Sequence, residues 1–511
     1  MIKKRLYLII ALAVAFIALL CVYFFAIAPM LETEDPADER QPLLEGEAYA
    51  SAKTILMFDQ VERGNIKSIE VHNKKASYKF YYNEQKKDFF VENYEKAPYS
   101  KEMISALVTN AGYPVTMTRV ADHADNLSEY GLAPEDDPAY YVLTTRDNKT
   151  HKVYIGNMIP TGAGYYTKYD ARDAVYITEA SISQTLLGTV ENLLTPMLFI
   201  PVSQSNYFLV KDFILIKNSE PFVRITSETK PAKDDDGKEF EEFVKYSMDF
   251  PAEYDVSNNY DNLLQSFMEF YGNAVVYLGN DNDIIADDIL EKYNLKAPAY
   301  ELLFTHNGVK NDILISSKAE NGVYYAYSLL FNLICEFPAD LFDFLEWELM
   351  DYVNKPLLQY NINDIESISI SSKDFEETFI LYTSTGETTT NPVTGATTTA
   401  TNLDVKVKST GKYLENSKNF RQFYMGILTT NLVTYADVKD ETGLDCLATI
   451  RIITRQGKKI EYAFYPYSTR RCFYTLNGKG EFYVLTDAVD KIVSDAKKLL
   501  TGEEISYQDK H

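Results

Sequence analysis

Apolar and polar residues alternate in the manner of β-strands along much of this chain, and stretches with helical spacing interrupt the alternation. Residues 66–72 and 365–371 alternate with a period of two, which predicts strands that bury one face. Residues 100–110 place apolar side chains on one helical face, after a serine that can cap a helix. The pattern predicts an α+β fold: tandem related modules of mainly antiparallel sheet with flanking helices.

One block of predicted strands, residues 130–177, occurs three times. It opens with Tyr130-Gly131-Leu132, and the tripeptides Tyr293-Asn294-Leu295 and Thr442-Gly443-Leu444 open its two echoes. The spacings are 163 residues (130 to 293) and 149 residues (293 to 442), so the repeated unit is a domain. Gly or Asn suits a left-handed turn, and we expect each leucine to dock on the core.

This repeat predicts three modules: a first module at residues 54–200, and two degenerate repeats at residues 201–355 and 356–511. Within the third module, the threonine-rich residues 388–402 are expected to form an exposed, flexible hairpin loop. In the second, the run Asp234-Asp235-Asp236-Gly237 predicts a hairpin turn.

The first 53 residues follow a different pattern. Residues 6–28 contain no charge and no proline, and as a helix they are long enough to cross the hydrocarbon core of a bilayer. A basic cluster precedes them at residues 3–5 and acids follow from residue 32. The positive-inside rule therefore predicts a cytoplasmic tip (1–5), one transmembrane helix (6–28), a tether (29–53) and extracytoplasmic modules. An uncleaved anchor is favoured over a signal peptide, whose apolar core is shorter.

The net charge and the N-terminal apolar segment indicate which classes of binding partner to expect. The chain has 511 residues and a net charge of −24, from 50 basic and 74 acidic residues. Such a surface repels nucleic acid, so we expect no nucleic-acid partner. The bilayer, through residues 6–28, is the expected lipid partner. Beyond Cys21, three cysteines remain; Cys446 and Cys472 are candidates for a disulfide, with buried free thiols as the alternative.

The histidines and cysteines show no recognisable chemical motif, so we expect no catalytic, cofactor-binding or metal-ligating residues and no cofactor. The five histidines do not share a metal-ligand spacing. Two of them, His151 and His306, fall at or near predicted hairpin turns and are expected to be solvated. All five are His72, His123, His151, His306 and His511.

Three other groups of residues are candidates for a catalytic, calcium-binding or ligand-stacking site. Ser494 and Lys497 match the SxxK pattern, but no SDN or KTG accompanies it, which favours chance. The carboxylates Asp281, Asp283, Asp287 and Asp288 lack the glycine and glutamate of a calcium-binding loop, which favours a solvated loop. The pairs Tyr165-Tyr166 and Tyr324-Tyr325 are either ligand-stacking surfaces or strand residues that alternate between core and surface; the second reading is preferred.

Five segments of the first module together form a recognisable set: Tyr130-Gly131-Leu132, the strand residues 140–145, Val153-Tyr154-Ile155-Gly156, Gly164-Tyr165-Tyr166 and Val175-Tyr176. Through these segments the first module resembles the bacterial family DUF4340, a domain of unknown function. The resemblance covers roughly residues 54–200 and is weaker in the other modules. It implies an anchored envelope protein that is often encoded beside ABC-type transporter components, and it carries over no catalytic residues.

These observations lead to a first hypothesis: a non-catalytic accessory or scaffold protein of the cell membrane, not an enzyme, associated with an ABC-type transporter complex. The alternative is an extracytoplasmic binding module for cell-wall glycan or peptide that uses exposed tyrosines between modules. An envelope hydrolase ranks third.

Overall fold

The computed structural model describes most of the chain after residue 40. The described residues are 41–51, 53–203, 210–233, 239–390, 397–436 and 443–508. Their strands form four sheets, mostly antiparallel, with a smaller number of helices. The predicted α+β class is therefore confirmed.

The predicted transmembrane helix, residues 6–28, lies outside the described residues, as do the cytoplasmic tip and residues 29–40 of the tether. In the described part of the chain, none of the helices combines the length and the apolar character that a membrane crossing requires.

The first module is built on one large sheet. The strands up to residue 179 are β1 (Ala48–Tyr49), β2 (Ile55–Leu56), β3 (Ile66–His72), β4 (Ser77–Asn83), β5 (Asp88–Val91), β6 (Val115–Thr116), β7 (Thr118–Ala121), β8 (Ala139–Thr145), β9 (Thr150–Met158), β10 (Gly164–Tyr169) and β11 (Val175–Glu179). The large sheet has the order β5-β4-β3-β8-β9-β10-β11-β7, and a small sheet has the order β1-β2-β6.

Two helices, α1 (Lys101–Gly112) and α2 (Ala180–Leu186), pack on one face of this sheet. Ser100 caps α1 as predicted, its side chain accepting a hydrogen bond from the Met103 amide at 3.3 Å. The buried side of α1, including Leu107 and Val108, joins core residues of the strands, so the helical pattern correctly located the core.

The second sheet contains the strands between residues 211 and 338. They are β12 (Lys211–Lys217), β13 (Glu220–Lys233), β14 (Glu239–Phe250), β15 (Tyr254–Asp255), β16 (Ala274–Leu278), β17 (Tyr300–His306), β18 (Val309–Ile315), β19 (Val323–Ser328) and β20 (Leu333–Pro338). The first part has the order β15-β14-β13-β12-β17-β18-β19, and β16 pairs with β20. The helices are α3 (Asn258–Ser266), α4 (Asp287–Lys292) and α5 (Leu349–Tyr352).

The third sheet has the order β23-β22-β21-β25-β26-β27-β28-β24, with numbering that follows the chain. Its strands are β21 (Ile365–Ser372), β22 (Phe375–Thr390), β23 (Thr397–Val407), β24 (Thr434–Tyr435), β25 (Ala448–Thr454), β26 (Lys459–Pro466), β27 (Arg471–Leu476) and β28 (Lys479–Leu485). Helices α6 (Ser417–Leu428) and α7 (Thr486–Thr501) complete it.

Two hairpins extend beyond their sheets as two-stranded ribbons. The pairing of β12 with β13 stops at Ile225, yet β13 continues to pair with β14; we call residues 229–233 with 239–243 ribbon A. The pairing of β21 with β22 stops at Ile380, and β22 continues to pair with β23; residues 384–390 with 397–402 are ribbon B. The corresponding hairpin of the first module, β4–β5, is short.

Ribbon B corrects one expectation. Residues 388–390 and 397–402 were predicted to be loop, but they are strand and are paired in register, with Thr388 opposite Thr399. Threonine is β-branched and favours strands, and low complexity did not override that preference. The residues between them, 391–396, and the predicted turn at residues 234–237 lie outside the described residues.

By its packing, the chain divides into two compact units. The first reaches Leu198 and includes Tyr271–Ala286 and Phe331–Glu336; the second comprises Phe199–Phe270, Asp287–Leu330 and Phe337–His511. One large sheet falls within each of the three predicted modules, but two segments of the predicted second module belong to the first unit. The division into three modules stays a prediction.

Candidate functional site

A cleft of about 1040 Å³ opens at one end of the large sheet in the first unit. Its floor includes Ile155, Tyr165 and Leu193, which belong to the core or pack against it. One wall is the exposed side of α2, where Ser181, Gln184 and Thr185 share a face because they are three and four residues apart. The opposite walls are the turn 73–75 and residues 136–139.

The Tyr-Gly-Leu turn forms the far end of this cleft. Gly131 has φ +66°, and a Cβ built on it would lie 2.5 Å from the side chain of Asn157. A Cβ on Gly156 would lie 2.3 Å from the carbonyl oxygen of Tyr130. Both glycines are therefore required because the turn packs directly onto strand β9.

The prediction for the three turns holds in part. Gly131, Asn294 and Gly443 all have positive φ, as expected. Leu132 and Leu295 are buried, at 4% and 1% exposure, so docking on the core is confirmed for two modules. For the third it is wrong, because Leu444 is 38% exposed; the residues just before Gly443 lie outside the described part.

Several polar residues around the cleft serve the fold. Asn73 accepts hydrogen bonds from the amides of Lys75 (2.8 Å) and Ala76 (3.0 Å), and donates to the Gly188 carbonyl at 3.1 Å. Asn192 accepts from the Thr189 amide at 2.9 Å. These bonds fix the turn 73–75 and the segment after α2, and so hold the cleft open.

Other polar groups of the cleft are unengaged. Among the residues the structure describes, the amides of Asn157 and Gln184 and the hydroxyl of Tyr165 have no hydrogen-bond partner. The charged side chains of the lining are two lysines, Lys74 and Lys75, and two aspartates, Asp136 and Asp137. The cleft is thus able to bind a polar ligand through uncharged groups.

The tyrosine pairs behave as the preferred reading predicts. Tyr165 packs against the core, whereas Tyr166 makes an edge contact with Tyr130, ring centres 5.0 Å apart. Tyr324 is buried and Tyr325 contacts Tyr293, with centres 5.1 Å apart. Tyr165 nevertheless also lines the cleft.

Two histidines contradict their prediction of solvated positions. His151 and His306 are 3% and 5% exposed. Both fall on inward-facing positions of their strands, and this alternation outweighs their closeness to a turn. His151 stacks on Phe58, centres 4.1 Å apart, and burial lowers its pKa, which keeps the ring neutral.

The remaining described histidines, His72 and His123, have separate partners and do not form a shared site. His72 bonds Ser77 at 2.6 Å and stacks on Tyr140, whereas the exposed His123 lies 3.4 Å from Asp173. His511 lies outside the described residues. In the described chain, no group of three or more His, Cys, Asp or Glu side chains is arranged to hold a metal ion.

The four weighed aspartates have separate partners. Asp281 accepts from the amide of Glu95 at 2.7 Å, and Asp283 accepts from Asn280 at 2.6 Å. Asp287 pairs with Lys296 at 3.2 Å, and Asp288 lies in the first turn of α4.

The SxxK pair and the cysteines also have ordinary surroundings. Ser494 and Lys497 lie on α7, and Lys497 Nζ sits 5.9 Å from the ring centre of Phe375. Cys446 and Cys472 are free thiols in the structure, so the candidate disulfide is not formed; Cys472 contacts the Thr486 hydroxyl at 3.3 Å.

A second cleft, of about 670 Å³, lies in the second unit where residues of the predicted second and third modules meet. Tyr254, Tyr360 and Tyr462 line it. Its charged groups are partly engaged, since Lys245 donates to Asp255 at 2.7 Å. The sequence predicts exposed tyrosines between modules, but these three are half-buried or buried.

The sequence missed most of the first cleft. Gln184, Asn157 and the lysines 74 and 75 carry no motif, and only the fold brings them together. One signal was available, because Asn157 directly follows the Ile155-Gly156 pair.

Comparison with known proteins bears on the first module. No curated protein and no solved structure matches the chain. Residues 90–298 match the family described as "Domain of unknown function (DUF4340)". The match overlaps the predicted region 54–200 and continues past it. The resemblance carried by the turn and strands of the first module is thus confirmed, because residues 90–298 match the model of that same family.

Proposed function

We propose that this chain is a non-catalytic accessory or scaffold protein, anchored in the cell membrane by residues 6–28, with its modules outside the cytoplasm. The observation that carries the scaffold proposal is the pair of ribbons. Each ribbon extends past its own sheet, and in the described residues its strands pair only with each other; ribbon B has one further bond near its base, from Arg421 to the Thr401 carbonyl at 2.8 Å. Two-stranded ribbons are marginal on their own, so a binding partner is a physical reason for their length.

Exposed apolar side chains directly beside the ribbons support this proposal. Val244, directly after ribbon A, is 49% exposed, and Tyr382, just before ribbon B, is 46% exposed. Ribbon A carries the cross-strand ion pairs Lys230–Glu242 and Lys233–Glu239, at 3.1 and 3.2 Å. Exposed pairs of this kind add little stability, so they leave the charges available to a partner.

The partner that the family resemblance suggests is a membrane protein of the envelope, with ABC-type transporter subunits as the first candidates. The high negative charge of the chain would favour a partner with a basic surface, because complementary charge steers association.

Affinity purification from detergent-solubilised membranes tests this proposal. Ser384 pairs with Asn402, so an Asn-Gly turn placed between them shortens ribbon B and keeps its register. The same turn between Glu228 and Lys245 shortens ribbon A. We expect the native chain to recover an envelope subunit and at least one shortened chain to lose it with an unchanged melting temperature. Recovery of the native chain alone would contradict the proposal.

The first-unit cleft favours a second candidate, an extracytoplasmic binding module for cell-wall glycan or peptide. Its volume lies at the upper end of the range of ligand sites, and among the described residues the side chains of Asn157, Gln184 and Tyr165 have no hydrogen-bond partner. A pull-down on purified wall material tests it, with Ser181→Trp as the variant that fills the cleft. Retention of the native chain and loss in the variant is the expected result; no retention of either removes this candidate.

A further inference from the structure

We infer that the first-unit cleft binds an uncharged oligosaccharide through Tyr165, Gln184 and Asn157, an inference that rests on the second candidate function. The floor of the cleft is apolar: Ile155 and Leu193 are buried beneath it, and the half-buried ring of Tyr165 lies beside them. A sugar ring presents one face of C–H groups, and an aromatic side chain offers it contact area at low conformational cost.

The walls supply the matching polar groups. The amides of Gln184 and Asn157 each offer a donor and an acceptor, and the Tyr165 hydroxyl offers both. In the part of the chain that the structure describes, none of the three has a protein partner. Neighbouring hydroxyls of a sugar need this mixture of donors and acceptors, because every hydroxyl is both.

Charge argues for a neutral ligand. The whole chain carries −24, yet the lining of the cleft has two lysines and two aspartates, which balance. An acidic ligand would gain from Lys74 and Lys75 but would meet Asp136, Asp137 and the field of the chain. A basic ligand would meet the two lysines. An uncharged ligand avoids both costs.

Sheet topology argues against a peptide held by strand addition. The strands that border the cleft, β3, β8, β9 and β10, each have neighbours on both sides. They therefore present no free row of backbone donors and acceptors, which an extended peptide needs to join a sheet. Recognition in this cleft must come from side chains, as sugar recognition does.

Calorimetry on the full-length protein in nanodiscs tests the inference, since no sugar-based detergent then competes. The neutral probes are chitotetraose, cellotetraose and maltotetraose; tetragalacturonate is the acidic probe and capped tetra-alanine the peptide probe. We expect at least one neutral sugar to bind more tightly than the acidic and peptide probes, and Ser181→Trp to abolish that binding.

Smaller changes locate the contact. Gln184→Ala and Tyr165→Phe should each weaken binding about three- to tenfold, the usual effect of one neutral hydrogen bond. Gln85→Ala, an exposed glutamine in the β4–β5 turn, is the matched control and should leave affinity unchanged. Melting temperatures verify that each variant folds.

Three results would overturn the inference: no neutral sugar binds, the acidic or peptide probe binds more tightly, or Gln184→Ala and Gln85→Ala behave alike. Tight peptide binding that Ser181→Trp abolishes would leave the binding-module function standing with a different ligand. The scaffold proposal is independent, because co-purification through the ribbons does not involve the cleft.

Discussion

Gly131 and Gly156 show how single residues set the shape of the first module. The turn that ends at Leu132 lies against strand β9, with the carbonyl of Tyr130 where a side chain at residue 156 would be. Because a glycine leaves that space, the turn reaches the sheet and closes one end of the cleft. The family motif is thus explained by a close backbone approach.

Gly156→Ala should therefore destabilise the first unit by about 1–3 kcal/mol, the usual cost of overpacking. Gly64→Ala is the control, because no atom lies within 4 Å of a Cβ built there. Thermal unfolding of the full-length protein, read by hydrogen exchange in β9, measures the difference. Equal stability of the two variants would contradict the assigned role of Gly156.

Asp281 and Glu95 form a carboxyl pair within the first unit. Asp281 accepts from the amides of Glu95 and Lys96, at 2.7 and 3.2 Å, and Tyr81 donates to Glu95 at 2.9 Å. Burial, and then the hydrogen bond with Glu95, raise the pKa of Asp281. Burial opposes the shift of Glu95, but hydrogen bonds from Asp281, its own amide and Tyr81 lower its pKa.

This contact should weaken as the pH rises through the folded pKa of Asp281. A raised pKa means that Asp281 stabilises the fold while protonated, and that this part is lost as the pH rises through its folded pKa. The lowered pKa of Glu95 acts in the opposite direction: the stability that ionised Glu95 contributes is lost as the pH falls through its folded pKa. The contact is therefore tightest where Asp281 is protonated and Glu95 ionised.

Hydrogen exchange at the amide of Asp281, which donates to the Asn93 carbonyl at 2.9 Å, measures this dependence, after correction for intrinsic exchange rates. In Asp281→Asn the side-chain amide offers both an acceptor and a donor at every pH. Protection from hydrogen exchange in this variant should therefore no longer increase as the pH falls. The same pH profile in the native chain and in Asp281→Asn would refute the role of the pair.

The segment before the first strand of the large sheet is attached to the first unit by buried polar contacts. It includes residues 41–53, which the sequence assigned to a tether. Glu47 is fully buried and pairs with Arg119 at 2.5 Å, and Tyr176 donates to it at 2.6 Å. Arg172 adds bonds to the carbonyls of Met57 and Glu45, at 2.6 and 2.7 Å. The described residues of this segment, 41–51 and 53–58, are therefore fixed to the first unit.

Removing the buried carboxylate should release this segment. Glu47→Ala leaves the guanidinium of Arg119 buried without its main counter-charge, at a cost on the order of 3 kcal/mol. Limited proteolysis within residues 41–53 should become faster in Glu47→Ala. The control is Glu45→Ala, whose side chain is exposed while its carbonyl still binds Arg172. No change in cleavage, or the same change in both, would contradict the claim.

Elements with strong periodicity were predictable, and their surroundings were not. Helix α1 with its Ser100 cap and the strand residues 66–72 follow from spacing alone. The buried positions of His151 and His306, and the strands of ribbon B, depend on which face a strand buries and on how far a hairpin extends. Neither quantity is visible in a local pattern.

At the scale of the whole chain, too, local patterns were predictable and long-range packing was not. The repeat of turn, strands and helix predicted one large sheet in each of three stretches. It did not predict that Tyr271–Ala286 and Phe331–Glu336 pack with the first unit, because such packing joins residues far apart in sequence. The cleft was hidden for that reason too: its lining spans residues 73 to 193 and includes no motif beyond the glycine turn.

At the scale of the whole molecule, we propose that the protein acts by binding an envelope partner through its ribbons. Photo-crosslinking in living cells tests this, with a photoreactive amino acid at Glu242 in ribbon A or Thr385 in ribbon B, both exposed. Gln85, exposed in the short hairpin of the first module, is the control position. We expect crosslinks to an envelope protein from a ribbon position and none from residue 85. Absence of crosslinks at both ribbon positions, or the same products at residue 85, would contradict it.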